Sequence, residues 1–201
     1  MQFRRTCCCR QNRVLTKVLP TSSRAPAKFA LVGTSYGGNL ALEVALAAPQ
    51  RVTALWLMGC NPDAAKPGGP DLAAGLEATP AAVIDMLAGL VVQKEATVAA
   101  ATFKAMAQRL GGQVGAAQAR AVATRPEATS RLGILTMPAL VLWGEEDALV
   151  PTSVGRALAD GLPNAQFHVL KQCGHLPTLE KPKDAAARFG EFLRGNMAAT
   201  A

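Results

Sequence analysis

The sequence is short of what several function classes need. Of its 201 residues 4% are aromatic and a single one is tyrosine, too few to interleave with basic side chains as a nucleic-acid surface requires. Charged residues reach only 17% against 50% apolar, which excludes wholesale disorder and leaves material for a sizeable core. No unbroken apolar run approaches the ~18 residues of a membrane span. The five cysteines are Cys7, Cys8, Cys9, Cys60 and Cys173; three are adjacent and the total is odd, so no disulfide framework is implied. There is no Cys-x-x-Cys pair and there are only two histidines, which argues against a zinc site.

The first 28 residues contain no acid. They hold Arg4, Arg5, Arg10, Arg13, Lys17, Arg24 and Lys28, and so account for the whole net charge of +7. The other 173 residues carry 14 basic and 14 acidic side chains, so the basic charge belongs to a leader and not to a face of the folded body. The leader lacks the 7–15-residue apolar region of a secretory signal. Its Arg- and Ser-containing, acid-free composition resembles an organellar transit peptide, and the cysteine triplet beside arginines weakly resembles a palmitoylation site. The favoured expectation is a disordered leader on a cytoplasmic protein with no nucleic-acid or membrane partner.

The body alternates strands and helices. Phe29-Ala-Leu-Val32 is a short apolar run ended by Gly33, a helix is expected over 39–48, and Val52–Met58 reads as a second buried strand. The Pro/Gly-rich stretch 61–70 reads as a linker. Residues 71–131 are Ala-rich with near-helical apolar spacing, and helices are predicted at about 80–92, 95–110 and 114–124. Strand character returns at Ala139–Trp143 and 166–170, with a helix after Pro151 and a last one over 182–194. This order predicts a parallel sheet covered by helices, interrupted by a helical insertion. The expected organisation is a leader at 1–28, a core of 29–62 and 132–195, a helical cap at 63–131 and a tail at 196–201.

One constellation carries chemistry. Gly33-Thr-Ser-Tyr-Gly37 is a Gly-x-Ser-x-Gly pentapeptide between a strand and a helix. A sharp turn there exposes the hydroxyl of Ser35 in a strained conformation, with glycines leaving room for close chain approach. The Tyr36 N–H then points to where an oxyanion forms, beside a helix N-terminus. The bland alternative is a glycine-rich turn that merely starts a helix, with or without a bound phosphate. A serine needs a base. His168 falls inside a strand, whereas His175 follows Cys173-Gly174 on a strand-end loop, where scaffolds present reactive groups. The acid that orients the histidine comes from Glu145, Glu146 or Asp147, with solvated loop charge as the default for the first two and Asp147 as the candidate.

The order Ser35, Asp147, His175 is that of the α/β-hydrolase triad. The stretches Phe29-Ala-Leu-Val-Gly-Thr-Ser-Tyr-Gly-Gly38, Ala48-Pro-Gln-Arg-Val52, Met137-Pro-Ala-Leu-Val-Leu-Trp-Gly-Glu-Glu-Asp147 and Gly174-His-Leu-Pro-Thr-Leu-Glu-Lys-Pro182 resemble an α/β-hydrolase of the esterase, enol-lactonase and C–C hydrolase type. The resemblance covers 29–195 and implies a partial α/β-hydrolase fold, N-terminally truncated. In that family four strands and two helices precede the serine, about 75 residues by ordinary element lengths, and here 28 precede Phe29. The missing part also includes the loop that supplies a second oxyanion donor, a loss of about 10²–10³ in rate.

The activity implied is a serine hydrolase of a small carboxylic ester or lactone acting through an acyl-enzyme, without metal, nucleotide or haem. The cap would roof the site with Met86, Leu87, Met106 and Leu110, each weighed against plain cap packing. Two alternatives stand beside it: a non-catalytic remnant or interaction protein, and a cofactor-free haloperoxidase-like perhydrolase using the same triad. The first strand would lose its outer neighbour, so a homo-oligomer through the open sheet edge is the macromolecular partner to expect.

Overall fold

The computed structural model describes residues 28–66 and 69–197. The leader, including Cys7, Cys8 and Cys9, lies outside them apart from Lys28, and so does the end of the tail. Four strands form one sheet in the order β1-β2-β3-β4, with β1 at Phe29–Thr34, β2 at Val52–Met58, β3 at Ala139–Gly144 and β4 at Ala165–Leu170. All three pairings are parallel. The register brings Thr34 beside Met58 and Gly144 beside Leu170, so the four C-terminal strand ends share one rim.

Helices cover both faces because consecutive side chains of each strand point to opposite sides. On one face Leu55, Leu57, Ala139, Val141 and Trp143 pack against α1 (Tyr36–Ala47), α6 (Thr152–Gly161) and a 3₁₀ segment carrying Leu132. On the other, Trp56, Met58, Leu140 and Leu142 pack against α8 (Pro182–Met197) through Ala185, Phe189 and Phe192. All six residues of β3 are buried, as its continuous apolar run requires. On the second face Val32 of β1 stays 52% exposed. Among the described residues no strand lies outside β1.

Four helices stand between β2 and β3: α2 (Leu72–Ala78), α3 (Pro80–Val91), α4 (Thr97–Leu110) and α5 (Gly112–Ala123). They carry two small apolar clusters of their own, one around Leu76, Ile84 and Ala116 and one around Val91, Val92 and Ala99. The second reaches α7 (Pro177–Glu180) through Leu176 and Leu179. The ends of the helical segment are tied together. Ala128 N–H donates to Pro62 O at 2.7 Å, and Arg125 Nε donates to Asp63 O at 2.9 Å. Burial lowers the Arg125 guanidinium below its usual value.

Two local expectations are corrected. The first helix starts at Tyr36, not 39, because the two glycines after the serine are helical and not part of a turn. Helix α2 is not among the helices predicted within 71–131; its Asp71 side chain accepts from Ala74 N–H and caps it.

Candidate active site

Ser35 occupies the tight turn between β1 and α1, with φ 55° and ψ −121°. A non-glycine residue there stores about 1–3 kcal/mol, which the surroundings must over-determine. They do: Ser35 N–H donates to Met58 O at 2.8 Å, while Ser35 O accepts from Gly38 and Asn39. A Cβ on Gly33 would lie 2.3 Å from Gly37 O, and one on Gly38 would lie 2.6 Å from Cys60 Cβ. Gly37 itself meets nothing within 4 Å, so the close packing expected of the flanking pair falls on Gly33 and Gly38. Tyr36 begins α1, so by position its N–H has no acceptor within the helix.

Asp147 follows the end of β3 and is 7% exposed. Its Oδ1 accepts from Leu149 N–H at 3.0 Å and Val150 N–H at 2.8 Å. Its Oδ2 lies 2.8 Å from His175 Nδ1. The loops bearing these two residues are stitched together: Glu145 N–H donates to Leu170 O and Glu146 N–H to Cys173 O, both at 2.9 Å. The contact is so close that a Cβ on Gly144 would fall 1.9 Å from Gly174 O.

His175 is 1% exposed. Its N–H donates to Val91 O at 2.9 Å, and its ring rests on Gly59, where a Cβ would lie 2.7 Å from Cε1. Gly59 has φ 55° and follows Met58, the residue that holds the Ser35 backbone. The serine turn and the imidazole therefore flank the same Met58–Gly59 link. Nε2 is buried without a hydrogen-bond partner, so the Ser35 hydroxyl is not bonded to it in this structure. Such bonds are often long or unformed until a substrate is seated.

The other candidates stand elsewhere. Glu145 and Glu146 are exposed, and His168 lies on β4 beside Arg188 and Glu191, its imidazole held below the usual value mainly by burial. Cys60 and Cys173 are buried free thiols that burial pushes up to about 12, with the Glu180 carboxylate adding to the effect at Cys173. Met86, Met106 and Leu110 are 47%, 52% and 44% exposed on α3 and α4, outside the apolar clusters. The interior of the helical segment is filled instead by Leu76, Ile84, Val91 and Phe103. A small cleft at the neck of the segment is lined by Asn39, Glu43, Asn61 and Arg125 and contains none of Ser35, Asp147 or His175. Sequence reasoning missed Gly59 and the Val91 carbonyl, which no local pattern marks. Among the described residues no group of three or more His, Cys, Asp or Glu is placed to hold a metal ion, and no helix is long and apolar enough to cross a membrane.

Comparison with known proteins fits this geometry. The family described as the alpha/beta hydrolase fold matches residues 25–182. A 2-hydroxy-6-oxononadienedioate/2-hydroxy-6-oxononatrienedioate hydrolase of Cupriavidus pinatubonensis is 34% identical over 184 residues, covering 81% of this chain and 61% of that protein. A thermophilic esterase of Thermogutta terrifontis superposes with a TM-score of 0.77 at 25% identity, over 85% of this chain and 66% of its own. The enol-lactonase of Burkholderia xenovorans gives 0.75 at 19% identity, over 84% and 66%, a likeness of fold. The chain thus spans about three fifths of the length of that Cupriavidus relative. Its parallel sheet, its strained serine turn and the residues matched place this chain in the α/β hydrolase fold family.

Proposed function

We propose that the chain carries a serine-hydrolase site in which Ser35 attacks a carbonyl carbon, His175 takes and returns the proton, Asp147 orients and stabilises the imidazolium, and the Tyr36 N–H holds the oxyanion. The observation that carries this reading is the buried His175 Nδ1–Asp147 Oδ2 contact at 2.8 Å, which leaves Nε2 as the imidazole nitrogen without a hydrogen-bond partner. With Asp147 accepting at Nδ1, the proton sits on that nitrogen and Nε2 is the basic one. Serine addition gives a tetrahedral oxyanion, the leaving group departs with the proton from Nε2, and water releases the acyl group by the reverse sequence.

The substrate class proposed is a small carboxylic ester or lactone. A second reading, hydrolysis of a carbon–carbon bond, is favoured by the 34% identity to a hydrolase named for 2-hydroxy-6-oxo dienedioates. Residues 63–131 act as the cap in both readings, with Met86, Met106 and Leu110 on the surface that an incoming substrate meets.

A fluorophosphonate probe tests the site. Wild type is expected to be labelled and Ser35→Ala spared; equal labelling of both removes Ser35 from the mechanism. Turnover of a nitrophenyl ester against 2-hydroxy-6-oxononadienedioate then separates the two substrates. A folded chain with neither labelling nor turnover above Ser35→Ala is the result that favours a non-catalytic role.

A further inference from the structure

Three successive backbone N–H groups surround the imidazole, and all three are tied down. His175 N–H donates to Val91 O at 2.9 Å. Gly174 N–H donates to Glu180 Oε2 at 2.8 Å, and Leu176 N–H to Glu180 Oε1 at 2.9 Å. Oε2 also accepts from Gln93 N–H at 2.9 Å. Gln93 belongs to the link between α3 and α4, 87 residues away in the chain. One carboxylate therefore grips the histidine loop on both sides and joins it to the helical segment.

The surrounding chain is built to let it do so. A Cβ on Gly174 would stand 2.8 Å from Gln93 N and 3.1 Å from both Glu180 oxygens, so glycine is what admits the convergence. Glu180 ends α7, a single turn that begins at the buried Pro177 and folds the side chain back over its own approach. Hydrogen bonds from neutral N–H groups to an ionised oxygen are roughly twice as strong as neutral ones. Three of them on one carboxylate make a rigid joint where a bare loop would otherwise let the ring drift.

We infer that Glu180 is a positioning residue, which fixes the peptide units on both sides of His175 and couples the imidazole to the helical segment through Gln93. The inference rests on the role proposed above for His175. Glu180 does not touch the reacting atoms. It acts by holding the ring against Gly59 and Asp147, where a displacement of about 1 Å costs on the order of 10²-fold in rate. It also makes the α3–α4 link part of the same joint, so a movement of that link reaches the ring through two bonds, Val91 O and Gln93 N.

The test is Glu180→Gln, which keeps the size of the side chain but turns an amide NH2 toward at least one of the three N–H donors. Two readouts are taken on the folded full-length protein. One is the rate of fluorophosphonate labelling at Ser35. The other is the His175 Nδ1–H nitrogen-15 signal, identified against His168→Gln because the chain has only two histidines. The expected result is labelling slowed about ten- to a hundredfold with the Nδ1–H signal shifted or broadened away. If Glu180→Gln does not fold, Gln93→Pro decides on the same readouts. It deletes the donor from the helical segment, together with the exposed Gln93 side-chain contacts to Glu95, after a Val92 whose φ −119° and ψ 136° suit a following proline, and it is expected to give an intermediate loss. Labelling within twofold of wild type per folded molecule, with an unchanged Nδ1–H signal, overturns the inference. A wild type that is not labelled at all, but whose Nδ1–H signal still depends on Glu180, overturns the hydrolase reading and leaves the joint standing.

Discussion

At the residue scale, His175 and Asp147 are buried like the two described thiols but hold each other, Nδ1 to Oδ2 at 2.8 Å. The two described thiols are close to the chemistry in sequence, yet both are walled into the core, Cys60 under Gly38 and Cys173 between β4 and α8. A thiol pushed up to about 12 carries almost no thiolate at pH 8. Alkylation by iodoacetamide at that pH, followed by peptide mapping, is expected to leave Cys60 and Cys173 unmodified in the native protein and to modify both in urea. Rapid native modification of either would show that its wall opens. Asp147, His175 and Ser35 were legible because each follows a strand end marked by glycine, and the order of the three is informative. The grip of Glu180 on the His175 loop was not legible. Its partners are backbone N–H groups, which every residue but proline has, and one of them is 87 positions away. Met86, Met106 and Leu110 illustrate the converse: residue type was readable, but the direction each side chain takes depends on how α3 and α4 pack.

At the scale of elements, the sheet delivers its loops to one rim because all its strands run the same way, and two glycines let those loops touch. Gly144 is the more demanding of the two. Any side chain there meets the Gly174 and Cys173 carbonyls at 1.9 and 2.4 Å, and neither is a flexible group. Gly144→Ala is expected to push apart the Asp147 and His175 loops, costing at least about 2–3 kcal/mol by overpacking and abolishing labelling at Ser35. Urea titration and the fluorophosphonate probe read the two effects separately. A variant of wild-type stability and full labelling would show that the loops yield easily. Strands β2 and β3 were readable to within a residue, since short apolar runs bounded by glycine have few other solutions. Helix α2 was not, because a proline- and glycine-rich stretch precedes it and its cap is a single aspartate.

For the molecule as a whole, the described sheet has an uneven cover. Helix α8 shields β2 and β3 but leaves Val32 on β1 half exposed, and among the described residues β1 has no outer neighbour. Residues 29–201 carry equal numbers of basic and acidic side chains, so little repulsion opposes association of the folded part. Sizing over a range of concentrations is therefore expected to show species above the 20.9 kDa of one chain, and Val32→Lys, a charge on the edge strand, to shift them toward it. A single monomeric peak for wild type at every concentration would show that the edge is otherwise protected.

The placement of the two tryptophans has a practical consequence. Trp143 is fully enclosed on the α6 face, its indole N–H bonded to Val150 O beside the Asp147 loop, while Trp56 stacks on Phe189 across the α8 face at 4.4 Å. The chain has no third indole, so its ultraviolet emission comes from one reporter in each layer. Replacing either with phenylalanine yields a single-colour sensor, with which the loosening of one layer can be timed against that of the other.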